Sequence, residues 1–159
     1  MLKPVRYELR STWTFEAPAD VVLAALRDLE SYARWWPQVR VAERVGEHRV
    51  RMRCRSALPY DLVFVVEESG IDVGRGYLEG TLTGDLDGMS RWVVTGDPDG
   101  AGTTASFLEV VVTTPWAMNL LAPVARPLVL ANHARMMRDG EAGLRADLDG
   151  RPAPEPARR

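Results

Sequence analysis

The stretch RVRMRCRS, residues 49–56, alternates arginine with an apolar residue or cysteine, and this alternation decides the fold class. Val50, Met52 and Cys54 share one phase, and the arginines share the other. Because side chains of a β-strand point alternately to opposite faces, the pattern predicts a strand with one covered side and one wet side. Strands of this kind are typical of antiparallel sheets.

The same period of two extends over residues 38–114 and is broken by turn signals. These signals are Gly46, Ser69-Gly70, Gly88 and Asp97–Gly100. The region accommodates about six strands, and because no helix separates them we expect a largely antiparallel sheet. Residues 5–16 add a seventh strand, whose inner face carries Tyr7, Leu9, Trp13 and Phe15.

Helical spacing appears on both sides of this strand region. After Pro18, apolar residues recur with a helical period at Val21, Val22, Ala25, Leu26 and Leu29. Residues 31–36 predict a second short helix, which Pro37 ends because the residue before a proline avoids helical geometry.

A long helix is predicted over residues 116–148, with Pro123 and Pro127 bending or interrupting its first half. Its apolar stripe comprises Val129, Met136, Met137, Gly140, Gly143 and Leu144. The two glycines cost helix propensity, so they predict a close approach to another element. The resulting order is an α+β domain over residues 1–149, followed by a disordered proline-rich tail over residues 150–159.

Composition narrows the class of protein. The chain has 159 residues, 46% of them apolar and 26% charged, with a net charge of −2 and one cysteine. These values fit one globular domain and exclude collagen-like, disulfide-framework and mainly disordered classes. They predict a cytoplasmic protein with no stable membrane insertion, no nucleic acid partner, no metal and no cofactor. A homodimer is left open.

Several short sequence motifs occur in an order that resembles the pattern of a known superfamily. They are FEAPADVV at 15–22, YARWWP at 32–37, LEG at 78–80, GDLDG at 84–88, Asn132-His133 and Met137-Arg138. Over roughly residues 5–148 the chain resembles the START and birch-allergen-like (SRPBCC) superfamily, in particular its bacterial polyketide cyclase/dehydrase-like branch. The resemblance implies a helix-grip fold, in which a curved antiparallel sheet of about seven strands is crossed by the long C-terminal helix. It also implies an apolar ligand between sheet and helix, and in some members cyclisation or dehydration of that ligand.

His133 is the first candidate for chemistry, because it lies on the helix stripe that faces the sheet. It is either a general acid/base or hydrogen-bond donor to a ligand, or a core histidine bonded to a neighbour. Asn132 points about 100° away on an ideal helix, so the two residues are not expected to share a role.

Glu109 is the second candidate, and its orientation is ambiguous. Both faces of residues 106–112 are apolar. If Phe107 points inward, Glu109 enters the interior and burial raises its pKa. In the alternative phase the Glu109 carboxylate lies in water.

Aromatic residues and methionines are the expected pocket lining. The residues predicted to contact a ligand are Trp35, Trp36, Met52, Tyr60, Phe64, Trp92, Phe107, Asn132, Met136 and Met137. Most of them also fit a plain core. Because Trp35 and Trp36 are adjacent on a helix, they are expected to face different ways, with one at a cavity mouth or exposed.

Three further patterns favour ordinary structural roles. The row Arg49, Arg51, Arg53, Arg55 predicts a solvated outer face balanced by acids such as Asp61 and Glu67. Cys54 takes the covered phase and is expected to be inert. The segments DLDG at 85–88 and DPDG at 97–100 are turns rather than calcium loops, because neither has a glutamate at the twelfth position.

The sequence therefore favours a module that binds a hydrophobic, lipid-like or polyketide-like molecule between sheet and helix. Whether it is an enzyme is open, with binding favoured over catalysis. One alternative is a polyketide aromatase/cyclase or dehydratase that uses His133 as acid/base. Another is a ligand-free protein-interaction module with a filled core.

Overall fold

The computed structural model describes residues 4–55, 60–114 and 122–150. Its strands are β1 (Val5–Phe15), β2 (Val39–Gly46), β3 (Arg49–Arg55), β4 (Asp61–Asp72), β5 (Tyr77–Gly84), β6 (Leu86–Gly96) and β7 (Thr103–Thr113). Its helices are α1 (Ala19–Arg27), α2 (Tyr32–Trp35) and α3 (Ala122–Asp149), with short 3₁₀ turns at Leu29–Ser31 and Val73–Arg75.

All the strands pair into one curved antiparallel sheet in the order β1-β7-β6-β5-β4-β3-β2. The first strand therefore closes against the last, and β2 forms the other edge. Helix α3 crosses the concave face, which confirms the predicted α+β helix-grip architecture. The predicted tail beyond Gly150 and the first residues of the predicted long helix lie outside the described residues.

The alternation in β3 has the predicted consequence. Val50, Met52 and Cys54 are buried, and the arginines are exposed. The Nε atom of Arg53 lies 3.6 Å from Oδ2 of Asp61 on β4. The Nε atom of Arg49 lies 3.6 Å from Oε2 of Glu67 on the same strand. The arginine row is thus an outer face with cross-strand acids, as predicted, and such exposed pairs contribute little stability.

Two predicted turns are wrong. Ser69-Gly70 lies within β4, where the pairing with β5 shifts between Glu68 and Gly70, so the glycine marks a bulge rather than a chain reversal. Gly88 lies within β6, and the reversal falls earlier, at Gly84-Asp85, where Gly84 has a φ of 124°. Since glycine serves both bulges and turns, its presence alone does not distinguish them.

The helices also depart from the sequence predictions in two places. Val21 is exposed, and Leu23 is buried in its place on the inner face of α1. Pro127 lies inside α3, which continues through it without interruption.

Trp35 and Trp36 are both buried, at 5% and 6% exposure, and their rings stack with centroids 5.4 Å apart. The expectation that they face different ways is wrong because α2 ends at Trp35. The backbone of Trp36 is extended, with φ −103° and ψ 107°, so its indole rotates inward beside that of its neighbour.

The glycines of α3 allow the close approach that the sequence predicts. A Cβ at Gly143 would lie 1.8 Å from the backbone oxygen of Trp35, and a Cβ at Gly140 would lie 2.5 Å from Cε2 of Trp36. The indole Nε1 of Trp36 donates a 2.9 Å hydrogen bond to the Met136 carbonyl on the same helix. Helix α3 is therefore held against α2 at backbone distance.

Gly143→Ala should lower the free energy of unfolding by at least about 2 kcal/mol, because a methyl group against the Trp35 carbonyl forces the two helices apart. In an unobstructed helix the same change stabilises by about 1 kcal/mol. Ala142→Gly, at the exposed neighbouring position, is the matched control and should cost only about 1 kcal/mol. Urea unfolding of both variants measures the difference, and a stabilised Gly143→Ala variant would contradict the packing argument.

Candidate functional site

Two adjoining cavities lie between the sheet and α3 in the described part of the chain. The tryptophan cavity, of about 120 Å³, is walled by Trp36, Trp92 and Met137 among others. The histidine cavity, of about 110 Å³, is walled by His133, Asn132 and Val129 among others. Their linings have four residues in common: Cys54, Phe64, Glu109 and Met136. A space thus remains beneath the long helix, as the leading hypothesis requires.

An aromatic cluster closes one end of this space. Trp13 is at its centre, with ring centroids 5.2 Å from Trp36, 4.7 Å from Trp92 and 6.3 Å from Trp35. The hydroxyl of Tyr32 donates a 2.5 Å hydrogen bond to the Leu26 carbonyl, which anchors α2 to α1. Tilted and edge-on ring pairs of this kind pack densely, so this end of the interior is filled.

Glu109 points into the interior, which resolves the ambiguity of its strand. It lies opposite Leu9 on β1 and Ser90 on β6, in the same phase as the buried Phe107, and it lines both cavities. No hydrogen bond or ion pair to its carboxyl occurs within the described ranges. Burial raises the pKa of Glu109 to about 7, because nothing compensates the loss of water around the charged form.

His133 is 9% exposed and lines the histidine cavity. Its ring lies nearly parallel to that of Phe107, with centroids 6.3 Å apart and planes 19° apart. Its Nε2 atom has no hydrogen-bond partner among the residues that the structure describes. Burial lowers the pKa of His133 to about 4, so the imidazole is neutral at physiological pH.

Asn132 also lines the histidine cavity, although it precedes His133 by one residue. It is half-buried, and the cavity extends along α3 far enough to contact both side chains. The two side chains thus border one cavity despite the angle of about 100° between them around the helix axis. That they have different roles stays a prediction.

Most of the predicted ligand-contacting residues line one cavity or both. They are Trp36, Met52, Phe64, Trp92, Phe107, Asn132, Met136 and Met137. Trp35 and Tyr60 line neither cavity. The indole Nε1 of Trp35 instead donates a 3.3 Å hydrogen bond to Ser31 Oγ, and its ring packs against those of Tyr32 and Trp36.

Sequence reasoning missed several lining residues that carry no chemical signal. Examples are Leu26, Leu78, Leu82 and Ser90. The inward position of Leu26 was readable from the helical period of α1, and that of the other three residues from the alternation of β5 and β6. Neither period tells which inward residues meet an unfilled space.

Cys54 lines both cavities and is buried. Burial, together with the charges of Glu109 and Asp61, raises the pKa of its thiol to about 12. The thiol is therefore protonated at neutral pH, in agreement with the inert role predicted for it.

The aspartates of the two acidic segments accept hydrogen bonds from backbone amides. Of the predicted turn at 85–88, only Asp85 lies between strands, because β6 begins at Leu86. Asp85 accepts a hydrogen bond from the Val63 amide, Asp87 from the Gly84 amide, and Asp99 from the Ala101 amide. Over residues 4–55, 60–114 and 122–150, no three His, Cys, Asp or Glu side chains group closely enough to hold a metal ion. In the same ranges, no helix is long and apolar enough to cross a membrane.

A protein-family model described as polyketide cyclase / dehydrase and lipid transport matches residues 6–148. The chain belongs to this family. No curated protein matches it in sequence.

Several solved structures share the fold of this family member. An aromatase/cyclase, ZhuI from Streptomyces sp. R1128, superposes with a TM-score of 0.70 at 17% identity and covers 91% of this chain and 94% of its own. A START superfamily protein from Mycobacterium smegmatis superposes with a TM-score of 0.70 at 16% identity, and the match covers 89% of this chain and 97% of that protein. Norcoclaurine synthase from Thalictrum flavum superposes with a TM-score of 0.60 at 11% identity, and the match covers 94% of this chain and 100% of that protein. At these identities the likeness establishes the fold alone.

The opposite pKa shifts of Glu109 and His133 predict a pH dependence of stability. The raised pKa of Glu109 means that folding opposes its ionisation, so stability falls as pH rises from about 4.5 to about 7. The lowered pKa of His133 means that folding opposes its protonation, so stability falls as pH drops from about 6.5 to about 4.

Glu109→Gln removes the first effect and keeps the shape of the side chain. Relative to the wild type, the variant should gain on the order of 2–3 kcal/mol in unfolding free energy between pH 5 and pH 8. Urea unfolding at the two pH values measures this gain. Glu68→Gln, at an exposed position on β4, is the control and should show no comparable change.

Proposed function

We propose that this protein binds an apolar small molecule in the space formed by the tryptophan and histidine cavities. The observation that carries the proposal is the unfilled volume of about 120 Å³ and 110 Å³ beneath α3, with walls that are mostly aliphatic, aromatic and methionine side chains. Apolar surface removed from water contributes about 25 cal/mol per Å², so contacts of this kind can supply most of the affinity. Family membership supports the proposal, because the family description includes lipid transport.

A neutral fluorescent probe, N-phenyl-1-naphthylamine, should bind the protein and brighten. Met136→Trp should reduce this binding at least tenfold, because Met136 belongs to the wall that the two cavities share and an indole fills the space. The matched control is Val124→Trp on the same helix, at a position that is 84% exposed. Circular dichroism checks that both variants are folded.

Ser90→Leu offers an independent block, since Ser90 lines only the tryptophan cavity. Equal probe binding by the wild type and both blocking variants would place the probe elsewhere and contradict the proposal. Native mass spectrometry of the purified protein, followed by release into organic solvent, tests for a copurifying lipid-like molecule.

Catalysis is the second candidate function, and Glu109 is the observation that favours it. An unpaired carboxyl inside an apolar cavity, with a pKa of about 7, is matched to proton transfer at neutral pH. His133 is the weaker acid/base, because the neutral imidazole resists protonation down to about pH 4. We therefore assign proton transfer to Glu109. To Asn132 we assign a hydrogen bond that its side chain donates to the carbonyl of the reacting molecule. The structurally similar ZhuI is an aromatase/cyclase, which accords with chemistry of this kind.

The step to test is removal of a proton from a carbon next to a ketone. The Glu109 carboxylate takes the proton, the electron pair of the C–H bond forms the enolate double bond, and the charge moves to the carbonyl oxygen. With 2-tetralone in D₂O, return of a deuteron leaves deuterium at that carbon, which NMR detects.

Exchange should be faster with the wild type than in buffer and should rise with pH to a plateau above about pH 7, because the carboxylate is the base. Glu109→Gln should reduce it to the buffer rate, while Glu43→Gln, at an exposed position on β2 that lines neither cavity, should leave it unchanged. Exchange that survives in Glu109→Gln would remove the catalytic role and leave the binding function intact.

A further inference from the structure

Two polar groups in the histidine cavity lack partners. The Nε2 atom of His133 is buried without a hydrogen bond, and the Glu109 carboxyl has no hydrogen bond or ion pair, within the part of the chain that the structure describes. Buried polar groups in folded proteins are nearly always hydrogen-bonded, and each exception requires an explanation. Both groups line a cavity of about 110 Å³ whose other walls include Leu9, Phe64 and Val129. A ligand that hydrogen-bonds both groups provides that explanation.

Among the described residues, no ionisable group around the two cavities is paired with the Glu109 carboxyl. Arg27, Glu68 and Glu79 line the tryptophan cavity, and the Arg126 guanidinium lies 5.2 Å from the centroid of the Tyr7 ring. Tyr7 and Cys54 line the histidine cavity, and the raised pKa of Cys54 keeps its thiol protonated. Arg55 reaches the rim from β3, but its side chain belongs to the exposed row of the outer face. Burial is the cause of the raised pKa of Glu109, with no lowering contribution from a cation. A second negative charge would therefore enter the cavity uncompensated.

The chemistry of the two groups selects one kind of partner. A neutral imidazole presents either a donor or an acceptor at Nε2, according to its tautomer, and a carboxyl near its pKa alternates between donor and acceptor. A hydroxyl group both donates and accepts, so it satisfies either group in either state. A carbonyl only accepts, and a carboxylate only accepts and is also repelled by ionised Glu109.

We propose that the site selects uncharged apolar molecules that carry a hydroxyl group, which hydrogen-bonds to His133 Nε2 and to Glu109, and that it rejects the corresponding carboxylates. This inference rests on the proposed binding function and specifies the ligand class for it. The ring of His133, which lines the histidine cavity, lies nearly parallel to the ring of Phe107, which lines the tryptophan cavity. A planar aromatic alcohol, with its ring beside these two rings and its hydroxyl between the two polar groups, is the ligand that we propose for this arrangement.

Cavity size sets the scale of the probe. An engineered cavity of about 150 Å³ in another protein binds benzene, so each cavity here holds about one ring. The two cavities share Glu109 and Met136 in their linings, so we choose a probe with two fused rings, which is large enough to extend from one cavity into the other. Naphthalene, 2-naphthol and 2-naphthoate differ only in the polar group and make a matched series.

Titration calorimetry at pH 8 should find 2-naphthol bound roughly three- to tenfold more tightly than naphthalene, the range that one hydrogen bond supplies. Naphthalene in turn should bind more tightly than 2-naphthoate. Lowering the pH to 5.5 should narrow the difference in affinity between naphthalene and 2-naphthoate, because Glu109 becomes protonated.

The His133→Phe variant should bind naphthalene as the wild type does but should bind 2-naphthol no more tightly than naphthalene. The His133→Gln variant should restore part of the tighter binding of 2-naphthol. His48→Phe, at an exposed turn position away from both cavities, is the matched control.

The outcomes distinguish a failure of the proposed selectivity for hydroxyl groups from a failure of the proposed binding function. If the wild type binds none of the three compounds, the proposed binding function is wrong. If naphthalene and 2-naphthol bind equally, or 2-naphthoate binds best, ligand binding stands and the selectivity is overturned. The wild-type series decides this point even if His133→Phe fails to fold. Unchanged preference in a folded His133→Phe variant would overturn the role of His133.

Discussion

Helices α2 and α3 pack so closely that the backbone of α3 lies against the backbone of α2. The shape of the space between the sheet and α3 depends on this contact. Gly140 and Gly143 have no side chain, so the second half of α3 lies directly against Trp36 and the Trp35 carbonyl. The Trp36 indole then hydrogen-bonds the Met136 carbonyl and fixes the helix along its axis. Because interiors are close-packed, a helix that is pinned at one end cannot settle further into the curved sheet at the other. The cavities lie under the part of α3 around Val129 to Met137.

The interior is therefore divided into a filled end and an open end. Trp13 and the rings around it fill the first, with contacts between bulky rigid side chains and a hydrogen bond from Tyr32 to α1. Medium-sized side chains such as Met52, Cys54 and Leu82 line the sheet side of the second. The aromatic end contributes stability, and the open end is where a ligand gains apolar contacts.

Glu109 and His133 give this open end its chemical character. Both are withdrawn from water, and burial shifts the pKa of each in the direction that favours its neutral form. At neutral pH the His133 imidazole is uncharged, whereas the Glu109 carboxyl is close to the midpoint between its neutral and ionised forms. An interior with these two groups treats hydroxyl groups and carboxylates differently, and it can also hold a proton for transfer. The proposed binding, selectivity and proton transfer would thus all follow from one arrangement, and the variants at Glu109 and His133 distinguish among them.

The sequence by itself determined the approximate number of strands and their antiparallel pairing, the faces of β1 and β3, the outer arginine row and the close approach of the glycines in α3. It did so because periodicity and the loss of a side chain are local properties of the chain. It could not orient Glu109, because residues 106–112 are apolar on both faces; the register of β7 between β1 and β6 decided that orientation. It misplaced Trp35 and Trp36, because the inward turn of both indoles depends on where α2 ends. Which inward residues line an empty space, and which, like Trp35, are packed, was decided only by the tertiary structure, since an unfilled volume depends on distances between elements that are remote in sequence.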